Sequence, residues 1–292
     1  MKQILLINDV VGHSHVGMVA MLPILTYQGH SVFNLPTALV SNTLDYGHFN
    51  VLETTDYMRG TLPVWQQLGF RFDAVCTGLM FSEEQARLVV DYCKKLKDSA
   101  TQPLSHSATS PTTVFVDPIM GDGGRLYNGM GQRQVELMRE MVSVADLTFP
   151  NYTEACYLAD VPFRQEGLSW DEVCALLDAI VALGARSVVI TSAKVDGHSC
   201  VVGRRSDKPL SGLPQHHDDG RYFRLDYEEI PLAFHGTGDI FSAVLIGHLM
   251  NGDPLRESTQ AAMHVVSNLI DRNRDQKDLC LGIPIEKCLD LL

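Results

Sequence analysis

Apolar residues gather along the chain into short unbroken runs and into stretches repeating at helical spacing. Residues 3–7 form an apolar run that predicts a buried strand, and the stretch after it, with its glycines and histidines, reads as a loop entering a helix. Residues 31–35 and 73–77 predict two further strands, the second ending in TGLM. Residues 82–97, SEEQARLVVDYCKKLK, carry apolar positions at helical spacing, with Ser82 placed as cap and Gln85 completing a capping box. TTVFVDP is a β-branched strand ending on Asp117, and residues 144–159 read as a short strand running into a helix at Asn151. Residues 169–191 predict a capped helix, a glycine stop and a strand; residues 199–230 read as hairpin material, followed by helices around 243–251 and 255–271.

Strand–helix alternation of this kind predicts an α/β fold with a mainly parallel central sheet covered by helices on both faces. No internal repeat or linker divides the chain, so residues 1–292 are expected to form a single domain. Residues 98–113 are rich in Ser, Thr and Pro and read as a surface loop. Residues 204–221 read as a hairpin tip or a lid.

Composition narrows the class. A formal net charge of −12 argues against a broad nucleic-acid footprint and against an anionic membrane surface. It leaves room for a phosphate-bearing ligand held by backbone amides and a metal. No apolar stretch is long enough to span a membrane, the start lacks the pattern of a signal peptide, and the 7 cysteines show no CxxC pair, so a cytoplasmic protein with reduced thiols is expected.

Chemistry concentrates where strands end and helices begin, which in a doubly wound sheet is where ligands bind. In HGTGDIFSAVLIGHL, Gly236, Thr237 and Gly238 precede Asp239 at a predicted helix start, where free amides and the helix dipole favour an anion. Asp239 by itself also reads as a helix cap. Capping does not explain two glycines, whereas a phosphoryl site with amides for the phosphate and a carboxylate to take a hydroxyl proton explains both. VDPIMGDGG puts Asp117 at a strand end and Asp122 in a glycine-rich turn, and NYTE sets Asn151 and Glu154 on one face of a first helical turn. Turn chemistry and a capping pair are alternative readings of these two segments. Residues 12–17 have the glycine spacing of a P-loop but Met18 stands in the lysine position, and Phe241 breaks the dinucleotide fingerprint begun by Gly236 and Gly238.

The order VDPxMGD, PNxxE, VVITS, GTGD resembles the ribokinase-like superfamily, and within it the pyridoxal kinase family, to which SNTLDYGHF and TGLM are also similar. The resemblance implies an ATP-dependent kinase acting on a hydroxymethyl group of a small ring, with Mg2+ and room for K+ or Na+, as a homodimer that binds no nucleic acid and no membrane. It implies Asp239 as the base and Gly236, Thr237 and Gly238 as the anion hole. Asp117, Asp122 and Glu154 would line the metal and, with Tyr127, Asn151, Thr191, Ser192 and Gly238, the nucleotide. Residues 121–128 would form a flap over ATP, and residues 204–221 would border the adenine. Asp9, Ser41, Asn42, Asp45, Tyr46 and Met80 would face the substrate.

The departures fall on the substrate side. Asp9 stands where the family usually has serine, and Leu44-Asp45 replaces a Thr-Gln type pair. Two carboxylates there imply a substrate with an amine or a protonated ring nitrogen, such as pyridoxamine or an aminopyrimidine; the alternative is that Asp9 points elsewhere or caps the next helix. His13 and His15, in the loop after the first strand, are further candidates for substrate contact, and His235 for support behind it. Kinases of another small alcohol (hydroxymethylpyrimidine, sugar or nucleoside) and a non-catalytic vitamer- or nucleotide-binding protein remain as alternatives.

Overall fold

The computed structural model describes residues 1–99, 111–207, 210–214 and 220–292. In chain order its elements are β1 (Gln3–Val11), α1 (Met18–Tyr27), β2 (Ser31–Val40), β3 (Val51–Glu53), α2 (Thr55–Gln67), β4 (Ala74–Thr77), α3 (Glu83–Ser99) and β5 (Thr113–Val116). There follow β6 (Gly121–Asp122), β7 (Arg125–Leu126), α4 (Gln132–Val142), β8 (Leu147–Thr148), α5 (Tyr152–Ala159) and α6 (Trp170–Ala182). The last part holds β9 (Ser187–Val195), β10 (His198–Arg204), β11 (Tyr222–Asp226), α7 (Thr237–Asn251) and α8 (Leu255–Arg272). These gather into two compact units, one of Met1–Phe81 with Ile230–Leu292 and one of Ser82–Glu229.

In the first unit β1 pairs in parallel with both β2 and β4, and β3 closes the edge of β2 antiparallel. Ile4, Leu5, Leu6 and Ile7 are all fully buried, as the unbroken apolar run of a parallel strand covered on both faces requires. Helix α1 packs on β1 and β2 and against α7, which packs in turn on α8. From Ile240 to Met250 every residue of α7 except His248 is buried, so α7 is a core helix and shows no apolar stripe.

In the second unit β5, β8 and β9 run parallel, and β9, β10 and β11 continue as an antiparallel meander. Helix α6 starts on the capping box of Ser169 and Glu172 and packs on β9. The base of the unit is tied by Asp146, which is fully buried. Its carboxylate accepts from the Val114 N–H and the Ser211 hydroxyl at 2.9 and 2.8 Å and faces Lys97 Nζ at 3.1 Å and Arg186 Nε at 3.2 Å.

The mainly parallel α/β architecture expected from the sequence is present, with antiparallel strands only at the outer edges of each unit's sheet. Several elements differ from expectation, β3 and α4 among them, which the sequence reading did not predict. Residues 121–126, read as a turn, form a small antiparallel hairpin whose corner is Gly123 and Gly124, both at positive φ (58° and 79°), as a tight primed turn needs. Helix α2, with Pro63 inside it and Gly60 among its residues, has no counterpart in the sequence reading. Part of the predicted loop at 98–113 is helix and strand, since α3 runs to Ser99 and β5 begins at Thr113; residues 100–110 lie outside the described residues, as do 208–209 and 215–219 of the stretch read as a tip or lid.

Candidate active site

Strand β1 carries the first half of the site at its C-terminal end. A bulge in its pairing with β2 falls between Asn8 and Val10, so the chain changes register just where it becomes polar. Asn8 is fully buried. Its side-chain oxygen accepts from the N–H groups of Asp9 (3.0 Å) and Leu79 (2.9 Å), which leaves its amide nitrogen to donate to Asp239 Oδ1 at 3.3 Å. A Cβ on Gly78 would stand 2.2 Å from Asn8 Oδ1, so the glycine of TGLM is what admits the Asn8 side chain.

Asp239 is the third residue of α7 and does not cap it. The N-cap is Gly236, in the left-handed conformation at φ 79°, and a Cβ there would meet the His15 carbonyl at 2.4 Å. The capping alternative for Asp239 is thereby overturned: its carboxylate turns away from the α7 amides and accepts from the Gly17 N–H at 2.8 Å as well as from Asn8. Burial pushes its pKa up, opposed by the Gly17 and Asn8 donors. Gly238 is exposed, with nothing within 4 Å of the position its Cβ would take. The first-turn amides of Thr237, Gly238 and Asp239 belong to the set a helix start leaves without intrahelical acceptors, so an anion has open access to them.

Asp9 lies on the other side of Gly17. Its Oδ1 is 2.7 Å from where a Gly17 Cβ would be, and Gly17, the N-cap of α1 at φ 57°, has none. Asp9 is 7% exposed, and no side chain among the described residues donates to its carboxylate. Burial first, and the charge of Asp239 second, push its pKa up to about 7.

The remaining expected substrate residues are tied to one another or to the C-terminal segment. Ser41 and Asn42 bond to each other and close the 41–50 loop, through the Asn50 N–H to Ser41 and Asn42 to the His48 carbonyl. Asp45 pairs with His235 at 3.2 Å, and the Tyr46 hydroxyl donates to Asp278 at 2.5 Å. His15, a candidate for substrate contact, directs both ring nitrogens to the C-terminal segment, at the Leu281 carbonyl and Glu286. Met80 is buried at 2% exposure.

In the second unit, Asn151 and Glu154 form the capping box of α5, so the capping reading of NYTE holds geometrically. The box also reaches the hairpin. Glu154 accepts from the Met120 N–H at 3.0 Å and the Asn151 N–H at 2.9 Å, while Asn151 donates to the Gly121 carbonyl at 2.8 Å. Glu154 is 3% exposed, and its pKa is raised well above the usual carboxylate range by burial and by the neighbouring Asp117, despite its backbone donors. Among the described residues no three acidic, His or Cys side chains converge on a metal position. Of the expected trio, Asp117 and Glu154 interact, while Asp122 is exposed and turned to the Gly123 N–H at 2.7 Å, because it sits at the hairpin corner. Asp117, beside the desolvated and backbone-held Glu154, fits a divalent cation that takes its other ligands from water and phosphate. Thr191 bridges to Asn151, and Ser192, at φ 55°, lines a pocket of about 110 Å³ with Asp122, Thr153, Phe163 and Lys194. Tyr127 is 43% exposed, and its N–H donates to the Met120 carbonyl at 3.0 Å.

Comparison with known proteins decides the family. Residues 64–281 match the family model described as phosphomethylpyrimidine kinase. The chain belongs to that family. It is accordingly a small-molecule kinase of ribokinase-like fold. Family relatives include the pyridoxal kinase of Burkholderia pseudomallei, 26% identical over 96% of this chain and 92% of its own length. The pyridoxal kinase of Arabidopsis thaliana is 32% identical over 58% of this chain, a match that spans only about half, 51%, of that enzyme. Among solved structures, a protein of Bacteroides thetaiotaomicron described as a phosphomethylpyrimidine kinase and crystallised with pyridoxal is 31% identical, with a TM-score of 0.86 over 99% of this chain and 95% of its own.

Asn8 was not among the residues the sequence singled out, and Gly17 and Gly78 entered only as parts of the P-loop-like spacing and of TGLM. A polar Asn8 closing an otherwise apolar strand, and a glycine directly after the TGLM threonine, were the available signals.

Proposed function

We propose that the chain transfers the γ-phosphoryl group of ATP to the hydroxymethyl group of a vitamin B6 vitamer, with Asp239 as general base. The observation that carries the reading is the carboxylate of Asp239, held by Gly17 and Asn8 beside the open first turn of α7. A base needs an oriented lone pair and a pKa raised toward neutrality, and burial against two donors supplies both. On this reading Asp239 takes the hydroxyl proton as the oxygen forms its bond to the γ-phosphorus, the bond to the ADP oxygen breaks, and the amides of Thr237 and Gly238 receive the charge that develops.

ATP with Mg2+ supplies the phosphoryl group and neutralises its charge when bound. Asp117 would hold the metal, with Glu154 behind it keeping the hairpin and Asn151 in place; both Glu154 oxygens already accept backbone N–H groups, which leaves it the supporting role. Lys194, Ser192 and Thr153 would meet the nucleotide's phosphates.

A second reading, phosphorylation of a pyrimidine such as hydroxymethylpyrimidine, is supported as far as the ring by the family description, which names a phosphomethylpyrimidine kinase. An ADP-release assay with MgATP separates the two, run against pyridoxal, pyridoxamine, pyridoxine, hydroxymethylpyrimidine and ribose. Turnover on a vitamer supports the first reading. Activity confined to the pyrimidine moves the substrate while keeping the base, and no ADP release with any acceptor defeats both.

A further inference from the structure

Asp9 is the one acidic group of the β1 end that the proposed reaction leaves without a task. It is more than nine-tenths buried, it receives no donor from any side chain among the described residues, and its Oδ1 lies against the same glycine whose N–H holds Asp239. A buried carboxylate lacking both a cation and a set of donors is costly, and folded chains retain one where a ligand completes it. A purely structural role does not account for it. The bulge at this point is fixed by the Asn8 side chain through the Asp9 backbone N–H, which any residue at position 9 would provide. Asp9 does not cap α1 either, since that N-cap is Gly17 and has no side-chain cap bond.

We infer that Asp9 is the receptor for an exocyclic ammonium group on the acceptor substrate, so that this chain selects amine-bearing rings over their hydroxyl counterparts. The inference rests on the kinase reading above and adds the substrate class. The two carboxylates beside Gly17 then have separate tasks: Asp239, with two donors, takes the hydroxyl proton, and Asp9, with no donor among the described residues beyond its own backbone N–H, meets a positive charge that the substrate brings. Gly17 lets both groups approach one small volume, since any side chain there would overlap Asp9.

Pyridoxamine and pyridoxine differ by an ammonium group in place of a hydroxyl, which makes them the probe pair. Their binding is measured by calorimetry, and their kcat and KM by ADP release, for the parent protein and for Asp9→Asn, which keeps the size and removes the charge. The expected result is a rise in Kd and KM for pyridoxamine that exceeds the change for pyridoxine by roughly tenfold or more. Asp9→Ser should repeat the pattern. Equal changes for both ligands, a fall in kcat alone for both, or parent protein that binds pyridoxamine no more tightly than pyridoxine overturns the inference. If the parent binds the vitamers but phosphorylates none, the kinase reading fails while the two Kd values still decide the role of Asp9; if it binds neither, the inference is overturned as well.

Discussion

The Gly17 N–H donates to Asp239 Oδ2 at 2.8 Å, joining residues 222 positions apart. With the Asn8 amide on the other carboxylate oxygen, the group is fixed from two sides and its lone pairs have a defined direction. Three segments distant in sequence thus meet at one carboxylate: the end of β1, the start of α1 and the start of α7.

Asn8 acts through Asp239 and is a positioning residue. Asn8→Ala removes a donor that holds the Asp239 pKa down, so the acid limb of the kcat/KM profile should move to higher pH, with a loss of roughly tenfold to a hundredfold at its plateau. Gly78→Ala should give the same shifted profile without touching Asn8 chemically, because its Cβ would stand 2.2 Å from Asn8 Oδ1. A profile that keeps its position in both variants counts against the role.

Asp9 makes stability depend on pH in a stated direction. Its folded pKa, about 7, lies above the 3.8 of an unburied aspartate, so its contribution is fully present below about pH 4 and is lost as pH rises through about 7. Asp9→Asn should therefore raise Tm at pH 8, by an amount corresponding to a few kcal/mol, and change it little below pH 4. Thermal melts across that window check the sign.

The sequence carried the general architecture well and the site partly, for physical reasons visible at single residues. The apolar run of β1 reads as a strand only to Ile7, because Asn8 and Asp9 break the pattern; the strand in fact continues to Val11, and those two polar residues are buried at the site. GTGD drew attention to Asp239, which the structure ties to Gly17 and Asn8 while Gly236 takes the cap position. Its two glycines nevertheless do different things, Gly236 adopting a left-handed cap against His15 and Gly238 leaving open access. Helix α2 escaped notice because Gly60 and Pro63 interrupt its pattern, while tertiary burial of Met58 and Leu62 holds it as a helix. Asp45 and Tyr46 sit in the motif that pointed to substrate, yet their bonds run to His235 and Asp278, partners that no local pattern could reveal.

Glu154 offers a test of the hairpin's support. In Glu154→Gln one carboxylate oxygen becomes an NH2 group, which cannot accept, so either the Met120 or the Asn151 N–H loses its partner. The KM for MgATP should rise by roughly tenfold with KM for the acceptor little changed. A rise in the acceptor KM instead would place Glu154 elsewhere in the reaction.

Asp146 tests the fold of the second unit apart from the chemistry. Asp146→Ala strands two donors, Val114 N–H and the Ser211 hydroxyl, and releases Lys97 and Arg186. A loss of roughly 2–4 kcal/mol in unfolding free energy is expected by chemical denaturation, with KM values unchanged for protein that remains folded.

The most direct test is phosphoryl transfer from ATP to pyridoxal by the parent protein and by Asp239→Asn, with MgATP binding measured in parallel. The account predicts a fall in kcat of roughly a hundredfold to ten-thousandfold while the Kd for MgATP stays within about threefold. Asp239→Asn protein that turned over at the parent rate would contradict it, because the carboxylate that Gly17 and Asn8 hold in place would then not be the group that takes the proton.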